Sequence, residues 1–173
     1  MPVIAREADV AVETIYRGFG SKAGLFKAVV DAAVAGGSTR ADVPVERRPA
    51  IQALIDEPDP HRQVELYAAT QPGIHRRSGP LLLALAGAAA SDPELDALWR
   101  EIEASRRFGQ SRFVEMLAAR GRLRPGLSVD DGADGLWVLT SNTVYDMLVH
   151  TRGWSVKRYE QWLAERLIDL FLG

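Results

Sequence analysis

The stretch Ile4 to Phe26, IAREADVAVETIYRGFGSKAGLF, decides the fold of the N-terminal part of the chain. Its apolar spacing predicts a short first helix, a break, and a second short helix over 12–18 whose Ile15 faces inward. Ala5 is small enough for two helices to cross closely on a tight turn. Asp9 stands where such a turn usually needs a positive φ, which aspartate tolerates better than most residues. The stretch therefore predicts a helix-turn-helix.

A third helix is predicted directly after this motif. Ser21 occupies the position of an N-cap, apolar residues follow at helical spacing, and Gly36-Gly37 marks the end of the helix. The next segment is rich in proline and charge, which predicts a connector with one or two helical turns over 50–56. We therefore divide the chain into three parts: an N-terminal domain over 1–37, a connector over 38–59, and a helical body over 60–173.

The first half of the body is predicted to contain three helices. Asp59-Pro60 and Asp92-Pro93 both show the order of an N-cap followed by proline, which is typical of helix starts. Pro72 is expected to kink or break the first of these helices, because an interior proline costs about 3 kcal/mol. The apolar run over 80–90 then predicts a separate, closely packed helix. The helix that starts at Asp92 is expected to stop at Gly121.

Two further helices complete the predicted body. Ser128 starts a helix whose apolar stripe continues to Leu148, and Ser155 caps the last helix. The sequence has no alternating strand pattern. The predicted fold class is therefore all-α.

Composition limits the class of protein. The 173 residues have a net charge of −2 and no cysteine, so a thiolate metal site is not available and any nucleic-acid contact must be local. The arginine-rich stretch over 100–124 is a rival basic surface, but its arginines better fit the solvated face of a long helix and partners for nearby carboxylates. The longest apolar run is too short to span a bilayer. We expect a cytoplasmic protein that does not act at a membrane.

The ionisable residues do not predict catalysis. His61, His75 and His150 are scattered and have no acid–base or metal-binding partner at a useful spacing. The glycines between Gly18 and Gly24 lack the spacing of a phosphate-binding loop and the strand before it. We therefore predict no enzyme activity, no metal and no cofactor.

The residues after the turn, IYRGFGSKAGLF, resemble the DNA-binding end of the TetR/AcrR family of bacterial transcriptional regulators. Tyr16, Phe19, Lys22 and Leu25 carry this resemblance by their intervals. It continues along nearly the whole chain in three weaker motifs: Asp92-Pro93-Glu94-Leu95, Gly121-Arg122-Leu123-Arg124-Pro125-Gly126 and Arg152-Gly153-Trp154-Ser155. The resemblance implies a regulator, expected to be a repressor, that binds double-stranded operator DNA until an unknown small hydrophobic ligand releases it.

The resemblance also assigns roles within the DNA-binding end. By it, Tyr16 donates its hydroxyl to a phosphate, while Lys22 and the first amides of the third helix hold the next phosphate. Phe19 is expected in the core. The residues expected to face the major groove are Val12, Glu13, Thr14 and Arg17. Two departures weaken DNA binding, because Ala11 lacks the usual capping hydroxyl and Glu13 repels phosphate.

For the body, the resemblance implies a ligand pocket and a dimer interface. The pocket is expected to be a largely apolar cavity with a few polar groups, among Tyr67, Thr70, Trp99, Phe108, Trp137, Thr140, Asn142 and Tyr145. A homodimer is expected to form through the last two long helices, where apolar residues are predicted to be exposed. The interface residues are predicted to be Val144, Leu148, Leu163, Leu167 and Leu170.

One expectation leads to an alternative function. Family members carry a further amphipathic helix before the segment that matches Ile4, so the first helix of the DNA-binding domain is predicted to be missing. The first ten residues are then expected to be mobile, with DNA affinity impaired. The alternative is therefore a ligand-binding or scaffold dimer whose DNA binding is impaired or lost.

Overall fold

The computed structural model describes residues 1–173, and its regular structure is entirely helical, which confirms the all-α class. The helices are α1 (Pro2–Glu7), α2 (Val12–Phe19), α3 (Lys22–Ala35), α4 (Ser38–Ala41), α5 (Pro49–Asp56), α6 (Pro60–Ala89), α7 (Pro93–Ala119), α8 (Val129–Leu139), α9 (Asn142–Tyr145) and α10 (Val156–Phe171). A 3₁₀ turn, Val45–Arg47, precedes α5, and a π-helical segment, Asp146–Thr151, continues α9. None of the helices combines the length and the apolarity needed to span a bilayer.

The helix-turn-helix is present at the predicted position. Ala5 is only 3% exposed at the crossing of α1 and α2, and the Val10 amide donates to its carbonyl. Asp9 has a φ of 52°, as the tight turn requires. Ile15 is the buried residue of α2. The local chemistry of this stretch was therefore sufficient to predict its fold.

Side-chain caps fix most helix starts where the sequence predicted them. The Ser21 Oγ accepts a 3.0 Å hydrogen bond from the Gly24 amide at the start of α3. Asp59, Asp92 and Ser155 cap α6, α7 and α10 in the same way. At the start of α8, the Ser128 Oγ accepts from the Asp131 amide and donates to the Asp131 carboxylate at 2.6 Å. Each such cap supplies about 1 kcal/mol to its helix.

Of the kink or break predicted at Pro72, the break is wrong, because α6 runs continuously through both Pro72 and Pro80. The run over 80–90 is accordingly the end of α6 and not a separate helix. Each interior proline costs about 3 kcal/mol. However, α6 packs against α3, α7 and α10, and each apolar side chain that it buries fully returns about 1.5–3 kcal/mol. Tertiary packing therefore outweighs the local preference.

The end of α6 is also less enclosed than predicted. Leu82 and Leu85 are buried, but Leu83 is 43% exposed. The alanines and glycine that follow are half-buried or exposed. The last turns of α6 thus pack on one side only.

The predicted single helix from Ser128 to Leu148 is instead divided at Thr140. The Thr140 hydroxyl donates to the Leu136 carbonyl at 2.7 Å and accepts from the Gln110 side chain. Ser141 then caps a new helix by accepting from the Val144 amide. Two consecutive hydroxyl residues, each bonded locally, end one helix and start the next.

The main core lies between α6, α7, α8 and α10. Its largest completely buried side chains include Tyr159, Phe171 and Leu117. Leu163 and Leu167 are also 0% exposed, so the prediction that they are exposed on the last helix is wrong. They face inward because α10 packs on α6 and α8 through this side. Of the predicted interface residues, Val144, Leu148 and Leu170 keep a partly exposed surface.

The arginine-rich stretch of α7 and the following turn forms bonds within the body. Arg107 pairs with Asp134 at 2.8 Å, and Arg106 pairs with Glu103 at 2.8 Å. Arg120 and Arg122 donate to backbone carbonyls at the end of α5 and just after it. These arginines therefore hold neighbouring elements together, as the prediction of carboxylate partners implied.

Candidate functional site

The exposed face of α2 carries four of the residues proposed to read DNA. Glu13, Thr14, Tyr16 and Arg17 are exposed, and their side chains form no hydrogen bond or ion pair within the chain. Val12, at the first position of α2, is half-buried. Because Ile15 alone turns inward, the rest of α2 presents its polar groups to solvent. This surface is available to an external partner.

Lys22 extends this surface to the start of α3. It is the first residue of α3, is exposed, and has no partner within the chain. The positive end of the α3 dipole and its first amides lie at the same place. The six predicted DNA-contacting residues therefore lie on α2 and the adjoining first turn of α3.

Gly24 is what allows α3 to begin so close to the end of α2. A Cβ placed on Gly24 would collide with the backbone carbonyl oxygen of Phe19. The same glycine donates its amide to the Ser21 cap. Sequence reasoning assigned this glycine to a turn, whereas its role is close packing inside a helix.

Phe19 is not a core residue, because 44% of it is exposed. The buried residues of α1, α2 and α3 are Ala5, Ile15 and Val30. The predicted weakness at Ala11 is present as well, since α2 has no side-chain cap at that residue. Few side chains are therefore buried where α1, α2 and α3 pack together.

A cavity of about 270 Å³ opens in the body between α6, α7, α8 and α9. Trp99, Trp137 and Asn142 line it, and all three are among the predicted pocket residues. The other lining residues are Leu82, Leu83, Ala86, Glu103, Arg106, Val138, Ser141 and Thr143. The cavity therefore has an apolar wall and a polar wall.

The remaining predicted pocket residues do not line this cavity. Phe108 is 65% exposed, because it lies on the solvent side of α7. Tyr67 stacks on Phe113 at 4.4 Å between ring centroids, and Tyr145 stacks on His75 at 4.8 Å. Thr70 donates to the Tyr67 carbonyl in its own helix. Aromatic spacing alone could not distinguish core, surface and cavity.

An ion pair between two residues that were not among the predicted pocket residues, Arg106 and Glu103, forms one wall of the cavity. The Arg106 Nη2 lies 2.8 Å from the Glu103 Oε2, which also accepts from the Trp137 Nε1 at 2.9 Å. The guanidinium lies over the Trp137 ring, 5.2 Å from its centroid. Both charged side chains are mostly buried, at 15% and 20% exposed. Their i, i+3 spacing on a helix was the available signal.

Behind the cavity wall lies a buried hydrogen-bonded chain from His75 to α9 and α10. The His75 Nδ1 lies 2.9 Å from the Asn142 Oδ1, and the Tyr159 hydroxyl lies 3.2 Å from the His75 Nε2. Burial lowers the pKa of His75 from 6.5 to about 4, although the Asn142 bond acts in the opposite direction. His75 is therefore neutral at physiological pH, with Nδ1–H donating to Asn142 and Nε2 accepting from Tyr159.

A second buried polar group lies one turn along α7 from Arg106. Gln110 is 5% exposed, and its Nε2 donates to the Thr140 hydroxyl at 2.7 Å, while its Oε1 has no partner. Burial raises the pKa of the neighbouring Tyr67 to about 12, so this phenol stays protonated. The buried polar side chains of Gln110 and Tyr67 are therefore both uncharged.

One side chain connects the cavity helix α6 to α3. The Arg77 Nε donates a 2.7 Å hydrogen bond to the Ala33 carbonyl, and its Nη2 donates to the Val34 carbonyl at 3.3 Å. These carbonyls belong to the last turn of α3, which lacks helical partners for them. Arg77 lies two residues from His75, so contacts to α9 and to α3 occur within one turn of α6.

A tight crossing of two short helices, an exposed polar second helix and a capped third helix are typical of a helix-turn-helix DNA-binding domain. Residues 1–29 match the family model of bacterial regulatory proteins, tetR family. The match falls on the stretch that carried the resemblance and confirms it for this N-terminal part of the chain. No curated protein and no solved structure gives a match.

Proposed function

We propose that the chain is a repressor that binds double-stranded operator DNA as a homodimer and is released by a small ligand in the body. The observation that carries this proposal is the set of unpartnered polar side chains on α2 and at Lys22. Arg17 is the candidate for reading a base edge, Thr14 for a phosphate, and Tyr16 and Lys22 for phosphates. The division into a DNA-binding part over 1–37, a connector and a body is part of this proposal.

The position of α6 supports a route from ligand to DNA. His75 holds Asn142 of the cavity wall, and Arg77 holds the end of α3. A ligand that moves Asn142 would therefore act on the helix that also positions α3. Since a dimer reads two half-sites at a fixed separation, a small rotation of α3 in each copy would change the distance between the two recognition helices.

For the homodimer, the last helices remain the proposed interface. Val144, Leu148 and Leu170 provide partly exposed apolar surface there. Leu163 and Leu167 would support this surface from the core and would not contact the partner. A two-fold dimer would use the same patch on both copies.

The proposal is tested with DNA selected from a random library and with fluorescence anisotropy over a range of salt concentrations. Lys22→Ala should weaken binding to selected and random DNA alike and lower the salt slope by about 1. Arg17→Ala should also change the selected sequence. Lys157→Ala, an exposed lysine on α10, is the matched control and should change neither. Selection that returns no enriched sequence, with binding that does not depend on salt, would disprove DNA recognition.

One observation favours the second candidate, a ligand-binding or scaffold dimer with impaired or lost DNA binding. Phe19 is exposed, and α2 has no cap at Ala11. Both features reduce the order of the surface that would read DNA. A dimer that binds a ligand but gives the same weak affinity for all DNA sequences would establish this second function.

A further inference from the structure

The cavity of the body has the dimensions and walls of a site for a small, flat molecule. Its volume of about 270 Å³ lies just below the usual range of about 300–1,000 Å³ for ligand pockets, so it suits a small ligand. Trp99 and Trp137 contribute indole rings from α7 and α8, and Leu82 and Ala86 contribute aliphatic surface from α6. Aromatic rings stack on indoles with specific geometry, which favours a planar aromatic ligand over a branched aliphatic one.

The charges on the cavity wall are already neutralised by each other. The Arg106 Nε lies 3.3 Å from both carboxylate oxygens of Glu103, and the Arg106 Nη1 donates to the Trp137 carbonyl at 2.9 Å. The opposite charges of Arg106 and Glu103 lie side by side, so the wall presents little net charge to a ligand. A charged ligand would lose hydration on entering the cavity without meeting a net opposite charge, which is unfavourable. The wall therefore favours uncharged ligands.

Asn142 supplies a hydrogen-bond donor at the cavity. The structure places its Oδ1 2.9 Å from the His75 Nδ1, and its Nδ2 has no hydrogen bond within the chain although Asn142 lines the cavity. With Oδ1 accepting from the His75 Nδ1–H, the Nε2 of the neutral ring accepts from the Tyr159 hydroxyl. In this arrangement the Asn142 Nδ2 is left to donate to a ligand.

We propose that this cavity binds a small, uncharged, planar aromatic molecule that presents a hydrogen-bond acceptor to the Asn142 Nδ2. The aromatic body stacks against Trp99 and Trp137, and the acceptor, such as a carbonyl oxygen, reaches Asn142. The inference rests on the proposed function only in treating this cavity as the site of the regulatory ligand.

The test uses four naphthalene probes of similar size and isothermal titration calorimetry on the full chain. 2-Acetylnaphthalene is uncharged with an acceptor, 2-ethylnaphthalene has no acceptor, and 2-naphthoate and 2-naphthylmethylammonium are charged. We expect 2-acetylnaphthalene to bind about tenfold more tightly than 2-ethylnaphthalene, the upper end for one neutral hydrogen bond. The two charged probes should bind more weakly than either. Equal affinity for the acetyl and ethyl probes, tighter binding of a charged probe, or no binding of any probe would overturn the proposal.

Two variants test whether the preference for the acetyl probe arises from Asn142. Asn142→Asp keeps an oxygen for His75 but removes the Nδ2 donor, so it should abolish the preference for the acetyl probe. Gln161→Glu, the same amide-to-carboxylate change at an exposed position of α10 outside the cavity, should keep the preference. If Asn142→Asp retains the preference, the proposed contact is wrong, and unchanged circular dichroism of each variant shows that the fold is intact.

DNA binding is measured separately on the same preparations. If 2-acetylnaphthalene binds with the expected preference but does not change DNA affinity, the ligand class stands and the proposed release from DNA fails. If DNA binding is sequence-specific and no probe shows the preference, the ligand class fails and DNA recognition stands.

Discussion

Arg77 donates to the Ala33 carbonyl at 2.7 Å, and this bond joins the body to the last turn of α3. A guanidinium at a helix C-terminus satisfies carbonyls that have no helical donor and interacts favourably with the negative end of the dipole. Lys27 adds a weaker contact between α3 and α7, 3.9 Å from Glu101. Arg77 and Lys27 are thus the side chains whose polar contacts join α3 to the body, in addition to its packing on α6 and α7.

Removing the Arg77 head group should loosen α3 without unfolding the body. Arg77→Met should cost about 1 kcal/mol locally, since the side chain is exposed and its bonds are screened. Amide exchange of residues 30–37 should become faster, while that of α10 stays the same. Arg76→Met, a neighbouring exposed arginine without a partner, is the control. Equal exchange in the two variants would show that Arg77 does not hold α3.

Gly24 and Gly18 should respond in opposite directions to alanine. Gly24→Ala places a methyl group against the Phe19 carbonyl and should cost about 1–3 kcal/mol. Gly18→Ala meets no atom within 4 Å and should stabilise α2 by about 0.5–1 kcal/mol. The readout is amide exchange over residues 12–29. Stabilisation by Gly24→Ala would contradict the close packing of α2 and α3.

The buried histidine should make the protein less stable in mild acid. The pKa of His75 is 6.5 when unfolded and about 4 when folded, so the unfolded state binds the extra proton. Stability is therefore complete above pH 6.5 and falls as the pH drops towards 4, by about 3 kcal/mol in total. Urea unfolding at several pH values measures this slope.

His75→Gln should remove that part of the slope between pH 6.5 and 4. His61→Asn, a change at an exposed histidine, should leave it as in the wild type. If His75→Gln keeps the full slope, other groups are responsible for the acid sensitivity.

The leucines of α10 should behave as core residues. Leu167→Ala should lower the free energy of unfolding by about 2–5 kcal/mol, because it leaves a cavity at a completely buried position. At concentrations where the variant is folded, sedimentation should show the same oligomeric state as the wild type. Leu148→Ala, at a partly exposed position, should cost less stability and weaken the dimer. A monomeric but fully stable Leu167→Ala would restore the original interface prediction.

Local chemistry explains which parts of the fold were predictable. Caps such as Ser21 and the positive φ at Asp9 depend on a few neighbouring residues, so the sequence was sufficient for them. Pro72 misled the prediction because burial of the distant faces of α6 outweighs its local cost. The ion pairs of the arginine stretch were expected in kind, but only the structure shows which carboxylates they use.

The candidate sites also differ in whether their residues are close together in the sequence. The DNA-facing residues lie in one short motif, whereas the bond between His75 and Asn142 joins residues 67 positions apart. The contact of Tyr159 with His75 spans 84 positions. A spacing rule cannot bring such residues together, so His75 appeared isolated in the sequence. Phe108 and Trp99 likewise both fall on helical spacings, but Phe108 faces solvent and Trp99 lines the cavity.

The two prolines inside α6 have a mechanical consequence. Pro72 and Pro80 have no amide hydrogen, so the carbonyls of Ala68 and Arg76 lose their helical donors. The helix is therefore softest on either side of the segment 73–79, which contains both His75 and Arg77. A force that acts on His75 or Arg77 would therefore bend α6 at these two positions first. Ordinary helix stiffness would spread such a bend over the full 30 residues of α6.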